Sequence, residues 1–125
     1  MTKLPILKHR IRKVPKQFSW IDHRLVRDRH IETFTPPAAA LYLFLVTVGD
    51  ADGLSYYGDQ SVMKRLGMDQ STLQASRSNL VQNGMIAWQK PLYQVLDIDD
   101  TAKRSLMGQP LSLGSILKKA REEAA

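Results

Sequence analysis

The 125-residue sequence contains no cysteine, which excludes disulfide bonds, thiolate metal ligands and cysteine nucleophiles. Its longest apolar run, from Ala38 to Val46, is far too short to cross a bilayer as a helix. The basic first residues hold neither an unbroken apolar stretch nor a small-residue cleavage site, so they do not resemble a secretory signal. We therefore expect a cytoplasmic protein without a membrane partner.

Patterns that support catalysis or metal binding are also lacking. The sequence has no phosphate-binding glycine loop, no nucleophile elbow and no carboxylate dyad. The stretch "DADG" at 50–53 opens like a calcium-binding loop but lacks the third ligand position and the closing glutamate, so it predicts a helix-ending turn. His9, His23 and His30 lie among arginines without a further ligand in a suitable position. We expect no enzymatic activity, no metal and no other cofactor, and we infer no small-molecule ligand.

The net charge of +6 is distributed unevenly along the chain. Residues 1–30 hold nine lysines and arginines against two acidic residues, residues 31–100 hold four against eight, and residues 101–125 hold five against two. The positive charge is therefore concentrated at the two ends. Basic arms of this kind commonly bind nucleic acid, although a solvated tail has the same composition.

The N-terminal part of the chain predicts an arm that leads into a core helix. Residues 1–17 lack a clean period and contain two prolines, so we expect them to be extended. A short strand or turn at Phe18–Ile21 and a short helix over about 22–30 follow. Thr35 then caps a helix whose first turn holds two prolines and whose body, "AAALYLFLVTV", is apolar on every side. Such a helix is expected to be surrounded by other elements.

The next segment predicts a short strand, two helices and a hairpin. "LSYY" is compatible with the strand, and a helix from about Asp59 buries Val62, Met63 and Leu66 before Gly67 stops it. A second helix is capped by Asp69, runs to Asn83 and ends at Gly84. "MIAWQK" and "PLYQVLDI" are two apolar runs joined at Lys90–Pro91, which is typical of a β-hairpin.

This order of elements resembles a known family. Residues 18–98 are similar to the winged helix-turn-helix domains of bacterial transcription regulators and of the N-terminal parts of plasmid and phage replication initiators. The matching stretches are "LYLFLV", "QSVMKRLGM", "STLQASRSNLVQNGMI" and "AWQKPLYQVLDI", with "FSWIDHRLV" as the lead-in. The resemblance implies a mainly α fold with a small β-hairpin, of the α+β class, between a basic arm at 1–17 and a tail at 99–125.

The helix from residue 70 is the candidate for reading DNA bases. If Leu73 points inward, steps of about 100° place Leu80 beside it and leave a small, polar face outward. Glutamine and serine can exchange hydrogen bonds with base edges, and glutamine suits adenine. An ordinary solvated helix face has the same composition. The candidate base-reading residues are Gln70, Ser71, Thr72, Gln74, Ala75 and Ser78.

Arg77 is the single cation between Met68 and Ile86, yet it lies on the inward stripe of this helix. We therefore expect its methylenes to cover the core edge while its guanidinium pairs with Asp59 or Asp69. Direct contact with DNA is the alternative.

A base-reading helix this poor in cations needs phosphate contacts from elsewhere, because phosphate neutralisation supplies most non-specific affinity. Arms that enter the minor groove are one known source. The candidate phosphate contacts are Lys8, Arg10, Arg12, Lys13, Lys16, Arg24, Arg27, Lys64, Arg65 and Lys90. The expected partner is double-stranded DNA, and the expected role is that of a transcription regulator or a replication-initiator-like accessory protein of a mobile element.

A further expectation concerns the assembly of the protein. The tail from residue 99 predicts an amphipathic helix whose Leu113, Ile116 and Leu117 join two subunits in a homodimer or dock on their own domain. The acidic middle of the chain favours an alternative function, a winged-helix interaction or dimerisation module without sequence-specific DNA binding.

Core and hairpin packing, rather than base stacking, is expected of four aromatic residues, Trp20, Tyr56, Tyr57 and Trp88.

Overall fold

The computed structural model describes residues 2–98, and they form a mixed helical fold with a three-stranded antiparallel sheet. The predicted order of helix, strand, helix, helix and hairpin is confirmed. The elements are α1 (Arg24–Arg27), α2 (Pro36–Val48), β1 (Leu54–Tyr56), α3 (Asp59–Leu66), α4 (Gln70–Gln82), β2 (Ile86–Gln89) and β3 (Leu92–Val95), with short 3-10 helices at Lys8–Arg10 and His30–Thr33. The predicted tail helix with Leu113, Ile116 and Leu117 lies outside the described residues.

Helix α2 begins where the sequence predicts it. The Thr35 hydroxyl accepts a hydrogen bond from the Ala38 amide at 3.3 Å, and two prolines occupy the first turn, where no amide partner is needed. Leu41 and Leu45 are fully buried, but Leu43 is 55% exposed. The prediction that this helix is surrounded on every side is therefore wrong, because α4 and β3 pack against one side of it. None of the described helices is long and apolar enough to span a membrane.

The tight connection between α3 and α4 is built by local chemistry. Gly67 ends α3 in the left-handed region, with φ of 62°, which glycine adopts without strain. The Asp69 side chain then caps α4 by accepting a hydrogen bond from the Thr72 amide. Val62 of α3 and Leu73 and Leu80 of α4 are fully buried, so the two helices share one core.

The sheet places β3 in the centre. β2 and β3 form the predicted hairpin with its turn at Lys90–Pro91, and β1 pairs with the other edge of β3. One end of the sheet therefore carries the hairpin turn. The opposite end, where Leu54, Ile86 and Val95 lie, is called the far end below.

Two predictions for the N-terminal segment are wrong. In the described part of the chain, Phe18–Ile21 forms neither a strand nor a turn and joins no sheet. The expected helix over 22–30 is reduced to the four residues of α1, because Arg29 adopts a left-handed φ of 62° and redirects the chain. Residues 2–17 are exposed and irregular, as expected of an extended arm, apart from the 3-10 turn at Lys8–Arg10.

Gly53 is the position at which the backbone of the sheet leaves no room for a side chain. Its φ is +80°, and an added Cβ would lie 2.6 Å from the carbonyl oxygen of Val95. We expect Gly53→Ala to lower the free energy of unfolding by about 1–3 kcal/mol in urea denaturation, because it adds a clash to a strained dihedral. Gly58→Ala is the control for a Cβ added in open space, where φ is −77°. Because Gly58 is the N-cap of α3, where alanine is less favourable than glycine, we expect it to cost about 0.5–1 kcal/mol, less than Gly53→Ala. Equal stability of the two variants would contradict the geometry at Gly53.

Candidate nucleic-acid interface

Helix α4 has one exposed polar face and one buried face, as its period predicts. Gln70 in its first turn is exposed, and five further exposed residues, called the α4 face below, are Ser71, Gln74, Ala75, Ser78 and Gln82. The buried side contains Leu73, Ser76, Arg77 and Leu80. Ser76 lies three residues after Leu73 and four before Leu80, so the helical period places it on the buried side. Its hydroxyl is satisfied because it donates to the Thr72 carbonyl, one turn earlier in the same helix, at 2.7 Å.

The first turn of α4 commits two of the candidate base readers to Asp69. The Asp69 carboxylate accepts hydrogen bonds from the Thr72 amide at 2.7 Å and from the Ser71 hydroxyl at 3.1 Å. Thr72 is also half-buried. Among the candidates, Gln70, Gln74, Ala75 and Ser78 are exposed, and no side-chain hydrogen bond within the described residues engages them; Ser71 is also exposed, but its hydroxyl is bound to Asp69.

The Asp69 cap makes the stability of α4 depend on pH. Hydrogen bonds from Thr72 and Ser71 lower the pKa of Asp69, because they favour the charged carboxylate. The folded pKa lies below the unfolded one, so this stabilisation is present above the ordinary aspartate pKa and is lost as the pH falls through the lowered value. We expect wild type to have a higher Tm than Asp69→Asn at pH 7, and the difference to shrink towards pH 2. A difference that stays constant over this range would contradict the charge-dependent cap.

Arg77 is held inside the fold by three side chains. Its Nη1 donates to Asp59 Oδ1 at 2.9 Å and to the Tyr93 hydroxyl at 2.8 Å, and its guanidinium carbon lies 3.7 Å from the Trp88 ring centroid. Its side chain is only 8% exposed. The predicted pairing with a carboxylate is confirmed, and the partner is Asp59 rather than Asp69. The contacts with Tyr93 and Trp88, which connect α4 to both hairpin strands, were not predicted.

The pKa values of Arg77 and Tyr93 both lie above their ordinary values. Burial lowers the pKa of Arg77, but its hydrogen bonds to Asp59 and Tyr93 outweigh this effect and raise the pKa above its ordinary value. Burial raises the pKa of Tyr93, and the positive charge of Arg77 opposes that rise. At neutral pH the cluster therefore contains a charged guanidinium and a neutral phenol.

The candidate phosphate-binding side chains differ in whether an acidic side chain neutralises their positive charge. Arg24 donates to both oxygens of Asp22, the shorter contact being 2.7 Å, and this lowers the pKa of Asp22 to about 2. Arg27 lies 3.6 Å from Asp28. The remaining candidates are exposed, and no ion pair within residues 2–98 engages them: Lys8, Arg10, Arg12, Lys13, Lys16, Lys64, Arg65 and Lys90.

These cations lie at different places around the fold. Lys64 and Arg65 are in the last turn of α3, immediately before the turn that leads into α4, and Lys90 is in the hairpin turn. Residues 18–22, in contrast, line a cavity together with 49–53 and 95–98, at the far end of the sheet. The arm therefore leaves the fold opposite the hairpin turn. An extended residue spans about 3.3 Å, so the candidate cations of the arm, two to ten residues before residue 18, reach at most about 7–33 Å beyond it.

The aromatic residues are divided between packing and exposure. Tyr57 packs on Phe44 with ring centroids 5.0 Å apart, and Trp88 lies 6.3 Å from Tyr93, so packing is confirmed for Tyr57 and Trp88. The packing prediction is wrong for Tyr56, which is 73% exposed on the edge strand β1, and for Trp20, which is 75% exposed beside the cavity.

The "DADG" turn has a structural role. Asp50 Oδ1 accepts hydrogen bonds from the amides of Asp52 and Leu54 at 2.9 Å each, which closes the turn after α2 and confirms the helix-ending turn. Within residues 2–98, no group of three or more histidine and acidic side chains is arranged to hold a metal ion.

No family model, curated protein or solved structure matches the chain. Its function therefore has to be argued from its own geometry and charge.

Proposed function

We propose that the chain is a winged helix-turn-helix protein that binds double-stranded DNA sequence-specifically through α4. Its role would be that of a transcription regulator or a replication-initiator-like accessory protein of a mobile element. The observation that carries the proposal is the α4 face. Gln74, Ala75 and Ser78 are exposed on a helix whose opposite side is buried against the core and held to the hairpin by Arg77.

The chemistry of the α4 face suits the major groove. The groove admits an α-helix, and glutamine can form two hydrogen bonds with adenine. Ala75 has a small side chain, so the helix backbone can approach the base edges closely. The five residues of the α4 face include no cation, and Arg77 is fixed inside the fold. The face therefore contributes hydrogen bonds rather than charge.

Phosphate contacts in this proposal come from three places. Lys64 and Arg65 lie in the last turn of α3, just before the turn that leads into α4, and Lys90 lies in the hairpin turn. The arm, which leaves the fold opposite the hairpin turn, adds Lys8, Arg10 and Lys16. Such contacts position a protein on DNA, whereas base contacts select the sequence. The arm and the hairpin thus supply affinity and α4 supplies specificity.

A titration against random duplex DNA over a range of salt concentrations tests the proposal. Each phosphate contact contributes about 0.9 to the slope of log K against log salt, so Lys64→Gln, Arg65→Gln and Lys90→Gln together should reduce that slope by about 2.7 for each bound subunit. Arg29→Gln is the control, because this cation already lies 3.6 Å from Glu32, and it should leave the slope nearly unchanged. No binding of the wild-type chain at low salt would contradict DNA binding.

A second candidate is an interaction module that uses the same fold for protein contacts. The exposed apolar side chains of the arm favour this candidate, because contacts with phosphate do not require apolar side chains. In either case we propose a homodimer, since a single winged helix covers few base pairs and two-fold pairing is the common route to a longer site. Loss of DNA binding on changing the arm or the α4 face favours the DNA reader, whereas unchanged DNA binding with altered self-association favours the module.

A further inference from the structure

A groove of about 500 Å³ lies at the far end of the sheet. Residues 18–22 form one wall, and Tyr42, Leu45 and Val46 of α2 provide an apolar floor. Four carboxylates also line the groove, those of Asp22, Asp50, Asp52 and Asp97. Among residues 2–98, the lining includes one cation, Arg24, whose guanidinium is bound to Asp22. This acidic groove therefore combines apolar surface with negative charge.

Two of the four carboxylates are available to a ligand. Asp22 binds Arg24, and Asp50 holds the turn after α2. Asp52 and Asp97 are exposed, and no hydrogen bond or ion pair to either side chain is made within residues 2–98.

The arm has the complementary chemistry. Residues 3–16 include six lysines and arginines and no acidic residue. They also include five large aliphatic side chains, Leu4, Ile6, Leu7, Ile11 and Val14, each between 52% and 97% exposed. DNA phosphates would bind the cations of the arm, but they provide no apolar surface on which its five exposed aliphatic side chains could pack. A partner for this arm has to present apolar surface and negative charge together, which is the composition of the acidic groove.

We propose that the arm of one copy of this chain docks in the acidic groove of a second copy. Residues 2–17 line no part of the groove of their own chain. Residues 18–22 of that chain form the wall, whereas the residues before them, 2–17, are exposed and lie outside the groove. Among the described residues, the groove is therefore open to the arm of a second copy. Reciprocal exchange fills both grooves and closes a two-fold dimer. Arg12 and Lys13 of each arm meet Asp52 and Asp97 of the other copy.

A charge-swap experiment on the full chain tests this contact. One variant reverses the arm (Arg12→Glu with Lys13→Glu), and the other reverses the groove (Asp52→Lys with Asp97→Lys). Sedimentation at micromolar concentration and low salt should show a wild-type dimer, and each variant alone should have a dissociation constant raised at least tenfold. An equimolar mixture should recover the dimer as a heterodimer, because each altered surface then meets its opposite charge. Lys64→Glu with Arg65→Glu is the control and should dimerise like wild type.

Three results would overturn the contact: a monomeric wild-type chain, a reversed variant that dimerises like wild type, or a mixture that stays monomeric. Circular dichroism and Tm check that each variant is folded. If the lysine substitutions unfold the chain, Asp52→Asn with Asp97→Asn removes the charges without reversing them and must still weaken the dimer. The inference does not depend on DNA binding, which the duplex titration measures separately on the same samples.

Discussion

Replacing Gln74 and Ser78 by glutamate is expected to lower the affinity for a selected duplex site by at least about a hundredfold. Both side chains are exposed on the α4 face. Removing a hydrogen-bonded pair between a side chain and a base costs about 1–3 kcal/mol, and 1.4 kcal/mol corresponds to a tenfold change in affinity. The two new negative charges would also lie against the phosphates. A site selected from random sequences, measured by fluorescence anisotropy at fixed salt, provides the reference affinity.

A matched control separates the position of the charges from their number. Gln94→Glu with Thr47→Glu introduces the same two charges at exposed positions, one in β3 and one near the end of α2. Long-range repulsion alone is screened within about 8 Å at physiological salt. The control should therefore reduce the affinity by less than about tenfold. Equal reductions in the two double variants would show that α4 does not read the bases.

Arg77→Met is expected to have the largest effect on stability. It leaves the hydroxyl of the fully buried Tyr93 without its partner and the carboxylate of Asp59, which is 28% exposed, without its cation. Removing one partner of a buried pair costs about 3–5 kcal/mol. Because water reaches Asp59, we expect about 2–4 kcal/mol, measured as the free energy of unfolding in urea.

Two companion variants identify the cause of this destabilisation. Arg65→Met removes an exposed cation and should change stability by about 0.5 kcal/mol at most. Tyr93→Phe added to Arg77→Met removes the stranded hydroxyl, so the double variant should be destabilised by less than the sum of the two single variants. Additive effects, or a small effect of Arg77→Met, would mean that the contacts of Arg77 contribute little to stability.

Local patterns in the sequence were sufficient to predict most helix positions. Thr35 and Asp69 cap helices by hydrogen bonds within three residues, and Gly67 ends α3 through its own dihedral angle. The period of 3.6 residues placed Leu73 inside and Gln74 outside without knowledge of the neighbours. These features depend on residues one to four positions apart, so the sequence alone can specify them.

The N-terminal predictions failed where the outcome depended on distant partners. Apolar residues around Phe18 are compatible with a strand, but a strand forms only beside another strand with a free edge. In the described structure β1 and β2 each have a free outer edge, but residues 18–21 pair with neither strand and instead form a wall of the acidic groove. The exposure of Trp20 has the same origin, because its surroundings are set by which elements approach it.

The sequence by itself thus determined the cysteine-free, basic-ended composition, the order of elements and the two faces of α4. Only the tertiary structure decided that Arg77 binds Tyr93 and Trp88 as well as Asp59, and that the arm leaves the fold at an acidic groove. The physical reason is distance along the chain. Arg77 and Asp59 are 18 residues apart along the chain. Residues 18–22 and 95–98 are still further apart, and the packing of the sheet and α2 brings them to the same groove. Contacts of this kind arise from the closing of the core, whose geometry no local pattern encodes.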